Sequence, residues 1–152
     1  MRRFQFRFDK LLWHRTVQEE LAEQQLARSL GEERQVLAAI ADVQASAAVG
    51  ADALRRELAA PVNGDLFALY RGYASALRAR EAALRDRRSA LAARVTEERR
   101  ALRERRRERE VVTQLKQQAQ ARYRREAERE AQKILDEIAS GRHHTRTTDG
   151  SA

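Results

Sequence analysis

The sequence contains no cysteine, one proline, six glycines and few aromatic residues, which make up 5% of its 152 residues. Without cysteine the chain has no disulfide, no thiol nucleophile and no thiolate metal ligand. Few prolines and glycines leave little to interrupt a helix, and few aromatic side chains leave alanine and leucine as the main core residues. These absences favour a protein built from long helices with a thin apolar core.

Charged residues are abundant, at 36% of the chain, and give a net charge of +8. Arginine and glutamate are interleaved along the chain and form no single basic block, a pattern that favours ion pairs on helix surfaces over a nucleic-acid-binding arm. We therefore expect no nucleic-acid partner. A basic nucleic-acid binder stays open as an alternative, because charge alone does not choose among nucleic acids, membranes and acidic proteins.

The N-terminal residues do not have the pattern of a signal peptide. Phe4, Phe6 and Phe8 alternate with polar or charged residues, and a signal peptide needs a continuous apolar region. No apolar run approaches the roughly 20 residues that a membrane-spanning helix needs. We therefore expect the chain to stay in the cytoplasm.

Two segments have a coiled-coil seam, because their apolar residues recur at steps of four and three. The first segment runs from Leu26 to Leu58 and the second from Leu66 to Ile138. Pro61 lies between them and disfavours helical geometry in the residue before it. The two seams can pair only if the chain folds back here. The sequence therefore predicts an all-α fold, an antiparallel coiled-coil hairpin whose second helix is the longer.

The boundaries of the hairpin follow from the same signals. We expect helix one at about 5–60, a turn at 61–64, helix two at about 65–139 and a disordered tail at 140–152. Asp65 is expected to cap helix two by accepting a hydrogen bond from an amide of its first turn. Because helix two is longer, residues beyond about Leu115 should have no partner on helix one.

The chain has no motif of a catalytic or metal-binding site. It lacks a phosphate-binding loop, a His-Glu-x-x-His motif and a Gly-x-Ser-x-Gly motif, and a two-helix hairpin cannot enclose a pocket that excludes water. We expect no enzymatic activity, no cofactor, no metal and no small-molecule substrate. His143 and His144 are interpreted as tail residues, because no acidic or thiol ligand accompanies them at helical spacing.

Two features leave alternatives open. Trp13 either packs within the hairpin or is an exposed anchor for a partner. The run 103–110, Arg-Glu-Arg-Arg-Arg-Glu-Arg-Glu, interrupts the apolar seam of helix two. It is either a solvated helix surface with internal ion pairs or a docking surface for an acidic partner.

Three short motifs lie at the two ends of the chain and beside the turn. They are Phe4-x-Phe6-x-Phe8-x-x-Leu11-Leu12, Leu66-Phe67-x-x-Tyr70-x-x-Tyr73-x-x-x-Leu77 and Glu126-x-x-x-Glu130-x-x-Lys133-x-Leu135-Asp136-Glu137. In combination they resemble the FliJ family, the small coiled-coil components of the bacterial flagellar type III export apparatus. The resemblance extends from Phe4 to about Arg142.

The resemblance implies that the protein is a stalk without enzymatic activity. FliJ-like proteins are similar to the two-helix stalk of the rotary ATPase gamma subunit, which implies that the paired helix ends insert into the centre of the hexameric flagellar export ATPase. The residues expected to bind this ATPase are Phe4, Phe8, Leu11, Arg122, Arg125, Arg129, Ile134, Leu135 and Ile138.

The resemblance also implies a contact with the membrane export-gate protein through a patch near the turn. The residues expected in this patch are Tyr70, Tyr73 and Leu77 on helix two and Ile40, Val43 and Ala47 on helix one. The helix-one side departs from the family pattern because it has no aromatic residue.

The family is further linked to the recycling of export chaperones, a role that this sequence neither supports nor excludes. The resemblance implies a cytoplasmic protein that is peripherally associated with the inner face of the cell membrane. A stalk of the related injectisome and a generic self-associating coiled coil are the alternatives.

Overall fold

The computed structural model describes residues 3–59, 61 and 63–148, with side chains as far as residue 140. Within these ranges it contains two helices and no strand: α1, Asp9–Glu57, and α2, Gly64–Thr148. The two helices pack against each other in an antiparallel hairpin. The predicted all-α hairpin with a longer second helix is confirmed, since α2 has 85 residues and α1 has 49.

The first turn of α2 is capped by Asn63. Its side-chain Oδ1 accepts a hydrogen bond from the backbone N–H of Asp65 at 3.0 Å, and its carbonyl oxygen accepts one from the N–H of Phe67 at 3.2 Å. The prediction that Asp65 is the cap is therefore wrong. Asp65 lies within the first turn, where its negative charge interacts favourably with the helix dipole.

Helix α1 begins at Asp9, later than the expected start near residue 5, and residues 3–8 are not helical. The carbonyl oxygen of Phe6 accepts a hydrogen bond from the backbone N–H of Asp9 at 3.2 Å, which closes the turn that enters the helix. Phe6 is buried. The alternating phenylalanines thus form a non-helical segment that packs against the hairpin, and they do not extend the helix.

Helix α2 continues to Thr148, beyond the expected end at 139 and into residues that were expected to form a disordered tail. Residues 149–152 lie outside the described residues. No proline follows residue 139, and Gly141 alone costs a helix only about 1 kcal/mol relative to alanine. A helix that has already formed can therefore propagate through this composition.

The chain divides into two compact units, each with a part of both helices. The end unit comprises Met1–Gln18 and Arg105–Ala152, and the turn unit comprises Glu19–Glu104. The buried apolar residues of the turn unit are Val36, Ile40 and Leu91, with Leu84 packed against them, and Val43, Val95 and Leu102. Burying one such aliphatic side chain contributes roughly 1.5–3 kcal/mol. The core of this unit is formed by few side chains, as the composition indicates.

Polar groups interrupt the core of the turn unit. The Ser29 side chain is fully buried, and its hydroxyl has no hydrogen-bond partner among the described residues. The buried Oε2 atom of Glu98 also has no hydrogen-bond partner among the described residues. Oε1 of Glu98 accepts a hydrogen bond from Nε of Arg94 at 3.0 Å. An unpaired buried polar group costs free energy, so this region is a weak part of the seam.

Helix α1 contains a strongly apolar stretch of 18 residues. By length and composition alone the helix is apolar enough to cross a membrane, which the sequence did not lead us to expect. Only 17% of the stretch is buried. Core helices of soluble proteins and signal sequences meet the same criterion, so the stretch does not assign a membrane location.

Candidate protein-docking surfaces

The turn unit has a surface groove, here called the tip groove, with a cavity volume of about 270 Å³. Its lining residues are Val43, Ala47, Gly50, Ala51, Leu54, Tyr70, Tyr73, Ala74, Leu77, Arg78 and Glu81. The groove thus contains five of the six residues expected in the patch near the turn. They come together because the antiparallel hairpin places the end of α1 beside the start of α2.

The tip groove includes a close contact between Gly50 and Tyr73. A Cβ atom added to Gly50 would lie 3.2 Å from Cε1 and 3.6 Å from Cδ1 of Tyr73. The phenol ring of Tyr73 therefore packs closely on Gly50, and a Cβ atom there would require the ring to shift by a few tenths of an ångström. Tyr73 is still 47% exposed, so its ring is accessible to a partner.

The six expected residues of this patch do not share one environment. Ile40 is in the buried cluster with Val36 and Leu91 and does not line the groove. Val43 is buried at the floor of the groove. Ala47 and Tyr73 are exposed, which makes them the accessible members from the two helices.

Charged groups border one end of the tip groove. The Nε2 of Gln44 donates a hydrogen bond to Oε1 of Glu81 at 2.9 Å, and Arg85 forms an ion pair with the same oxygen at 2.7 Å. Arg78 also lines the groove. The apolar floor therefore ends at a polar rim, as in many protein-interaction sites.

A second, more open depression lies on α2. Its lining residues are Leu66, Leu69, Tyr70 and Tyr73, and its cavity volume is about 320 Å³. Leu69 is exposed and was not identified from the sequence. Its spacing of i and i+4 to Tyr73 would have indicated a shared helix face.

In the end unit, the N-terminal segment, residues 3–8, packs against α2. The rings of Phe4 and Tyr123 lie 5.5 Å apart between centroids, and the Lys116 ammonium lies 6.0 Å from the ring centroid of Phe6. Lys116 also forms an ion pair with Asp9 at 2.7 Å. This segment extends the partner surface of α2 to Tyr123, so the expectation that residues beyond about Leu115 have no partner is wrong for these positions.

The expected ATPase-binding residues near the N-terminus differ in accessibility. Phe4 is partly buried by its contact with Tyr123. Phe8 and Leu11 are exposed. Trp13, for which the sequence left two readings open, is also exposed, with 69% of its surface accessible. It does not pack within the hairpin.

The Arg- and Glu-rich run 103–110 contributes to a polar network between the helices. Arg15 of α1 forms an ion pair with Glu108 at 2.7 Å. Arg105 contacts the same carboxylate at 3.2 Å and donates a hydrogen bond to Oε1 of Gln18 at 3.3 Å. The run is therefore more than a solvated surface, because two of its residues bridge to α1.

The C-terminal extension, residues 124–140, is the part of α2 that lies beyond the contact between Phe4 and Tyr123. Every side chain from 128 to 140 is exposed. Ile134, Leu135 and Ile138 are 57%, 60% and 51% exposed, respectively. Arg125 and Arg129 lie on this extension and are exposed, as is Arg122 just before it. The apolar cluster thus has no intramolecular cover among the described residues.

Within the described ranges, no group of three or more histidine, cysteine, aspartate or glutamate side chains could hold a metal ion. The surfaces that the structure presents are apolar grooves and exposed helix faces, and these are features of protein recognition.

The profile of one protein family, described as the flagellar FliJ protein, matches residues 4–148 of the chain. The match covers both helices and the N-terminal segment. The searches of curated proteins and of solved structures gave no match.

Proposed function

Because the chain belongs to the FliJ family and is a component of the bacterial flagellar export apparatus, we propose that it is the stalk that binds the hexameric export ATPase and couples it to the export gate. Members of the FliJ family are structural components of the flagellar export apparatus. The protein therefore acts through its surfaces, and the two candidate surfaces described above are the docking sites.

The ATPase-binding surface is the end unit. The observation that carries this assignment is the exposed cluster of Ile134, Leu135 and Ile138 on a helix end. Large apolar residues that remain exposed side by side usually mark an interface. Exposed Phe8 and Leu11 belong to the same unit and complete the proposed surface.

The arginines of this region assist the encounter. Arg122 and Arg125 are exposed, and Arg129 lies farther along the extension. Long-range attraction between these cations and an acidic mouth of the ring would raise the association rate more than the final affinity.

The gate-binding surface is the tip groove. Its lining residues include Ala47, Tyr70, Tyr73 and Leu77, which the family resemblance implies for this contact, and of these Ala47 and Tyr73 are exposed. Half-exposed aromatic rings beside an apolar groove are frequent anchors in protein interfaces. Binding there would hold the protein peripherally at the inner face of the cell membrane.

A truncation series tests the ATPase-binding surface. A chain that ends at Arg125 keeps the contact between Phe4 and Tyr123 but lacks the exposed apolar cluster. We expect it to lose stimulation of ATP hydrolysis by the purified export ATPase and to keep its binding to the purified export-gate protein. A chain that ends at Ser140 is the control and should stimulate fully.

Circular dichroism must show that both truncated chains remain helical. Full stimulation by the chain that ends at Arg125 would exclude the extension as the ATPase-binding surface. It would then favour the alternative of a self-associating coiled coil.

A further inference from the structure

The exposed apolar residues of the C-terminal extension form a continuous stripe. The stripe consists of Ala127, Ala131, Ile134, Leu135 and Ile138. Steps of four and three, at roughly 100° per residue, keep these side chains on one face of the helix. The stripe therefore has the pattern of a coiled-coil seam that is exposed to solvent.

This face continues one that is already an interface within the end unit. Val112 is buried, and Lys116 and Tyr123 contact the N-terminal segment. The same spacing of four and three leads from these residues into the apolar stripe. Because the intramolecular cover ends at Tyr123, the remainder of the seam is available to another protein.

The edges of the apolar stripe are acidic. The helical repeat places Glu128 along one edge and Glu130 and Glu137 along the other. The two basic residues between the first and last residues of the stripe, Arg129 and Lys133, fall on the opposite side of the helix. In a chain with a net charge of +8, this acidic border is a local reversal of sign.

The acidic edges disfavour a second copy of the chain as the occupant. Pairing two apolar stripes would bring the border glutamates of one copy near those of the other, and like charges at these positions oppose coiled-coil pairing. Within the described side chains, no ion pair neutralises Glu128 or Glu130. The partner must supply the opposite charge.

We propose that the apolar stripe binds an apolar groove bordered by lysine or arginine side chains on the partner protein. The inference rests on the proposed function, in which that partner is the export ATPase. Arg122, Arg124 and Arg125 precede the stripe and have the opposite sign. A partner with an acidic zone followed by a basic zone would therefore select one depth of insertion.

Two substitutions that make the same change in charge, on opposite faces of the helix, test this proposal. Glu130→Lys changes the border of the stripe, and Asp136→Lys changes the far side, where Asp136 only accepts a hydrogen bond from exposed Gln132. Binding of each full-length variant to the purified export ATPase would be measured by biolayer interferometry. Circular dichroism would check that helix content is unchanged.

We expect Glu130→Lys to weaken binding about tenfold and Asp136→Lys to weaken it less than about twofold. Unchanged or tighter binding by Glu130→Lys, or equal losses in both variants, would overturn the basic-bordered groove and leave the stalk role intact. Absence of binding by the unmodified chain would contradict the proposed function and this inference together.

Discussion

At the scale of single residues, the tip groove depends on Gly50. A glycine in the middle of a helix destabilises it by roughly 0.5–1 kcal/mol relative to alanine. Here the small residue leaves room for the ring of Tyr73. The close contact between Gly50 and Tyr73 therefore comes at a cost to the stability of α1.

Replacing Gly50 with alanine should separate stability from binding. Helix propensity should raise the free energy of unfolding by roughly 0.5–1 kcal/mol, because the exposed ring of Tyr73 can move a few tenths of an ångström to relieve the contact. The displaced ring should weaken binding to the export gate. Gly31→Ala is the matched control, since a Cβ there meets nothing within 4 Å. Equal gate binding by both variants would show that Gly50 has no role in the groove.

Truncating Tyr73 to alanine should weaken gate binding by about tenfold, because exposed aromatic anchors often contribute more than 1 kcal/mol. The ring is 47% exposed, so the melting temperature should change little. Val49→Ala, at a neighbouring exposed position outside the groove, is the control. A large loss of stability with unchanged binding would instead identify Tyr73 as a core residue.

At the scale of the helices, the seam of the turn unit is held by a thin apolar core and weakened by polar groups within it. The buried hydroxyl of Ser29 is unpaired in the described structure, and so is Oε2 of Glu98. Long helices that are held by few contacts open locally at their weakest layer. The Ser29 region is the expected position of such opening.

Removing the Ser29 hydroxyl should stabilise the hairpin. Ser29→Ala eliminates a buried unpaired group and should raise the free energy of unfolding by about 1 kcal/mol, as measured by urea denaturation. Ser89→Ala, at an exposed position of α2, is the control for helix propensity. If the two variants gain equally, a hydrogen-bond partner satisfies the Ser29 hydroxyl in solution.

At the scale of the whole molecule, charge and apolar surface have separate roles. The net charge of +8 acts over a distance and affects encounter with partners. The tip groove and the apolar stripe act only at contact. Because arginine and glutamate alternate along the chain, this charge is not collected in one basic block.

Salt should slow association with the export ATPase. Raising the ionic strength from about 0.05 M to 0.3 M shortens the Debye length to about 6 Å. This screening should lower the association rate several-fold. Replacing Arg122, Arg124 and Arg125 together with glutamine should flatten this dependence in stopped-flow measurements. A dependence that persists unchanged in the variant would assign the steering to other cations.

The fold class follows from the sequence alone, because helix periodicity and the break at Pro61 are local signals that need no knowledge of packing. The sequence also indicated the greater length of helix two. The exact helix ends were less predictable. Asn63 rather than Asp65 caps α2 through its side-chain oxygen, and the backbone carbonyl of Phe6 closes the turn before Asp9. Both contacts depend on the local backbone conformation at the helix start, which residue spacing alone does not determine.

Which seam residues are accessible depends on how the two helices pack. Ile40 is buried beside Leu91, whereas Tyr73 lies half-exposed against Gly50. These residues share the same apolar periodicity, so their spacing along the chain cannot distinguish them. Their exposure depends on how one helix is rotated against the other and on the size of the residue directly opposite, and both are properties of the packed pair.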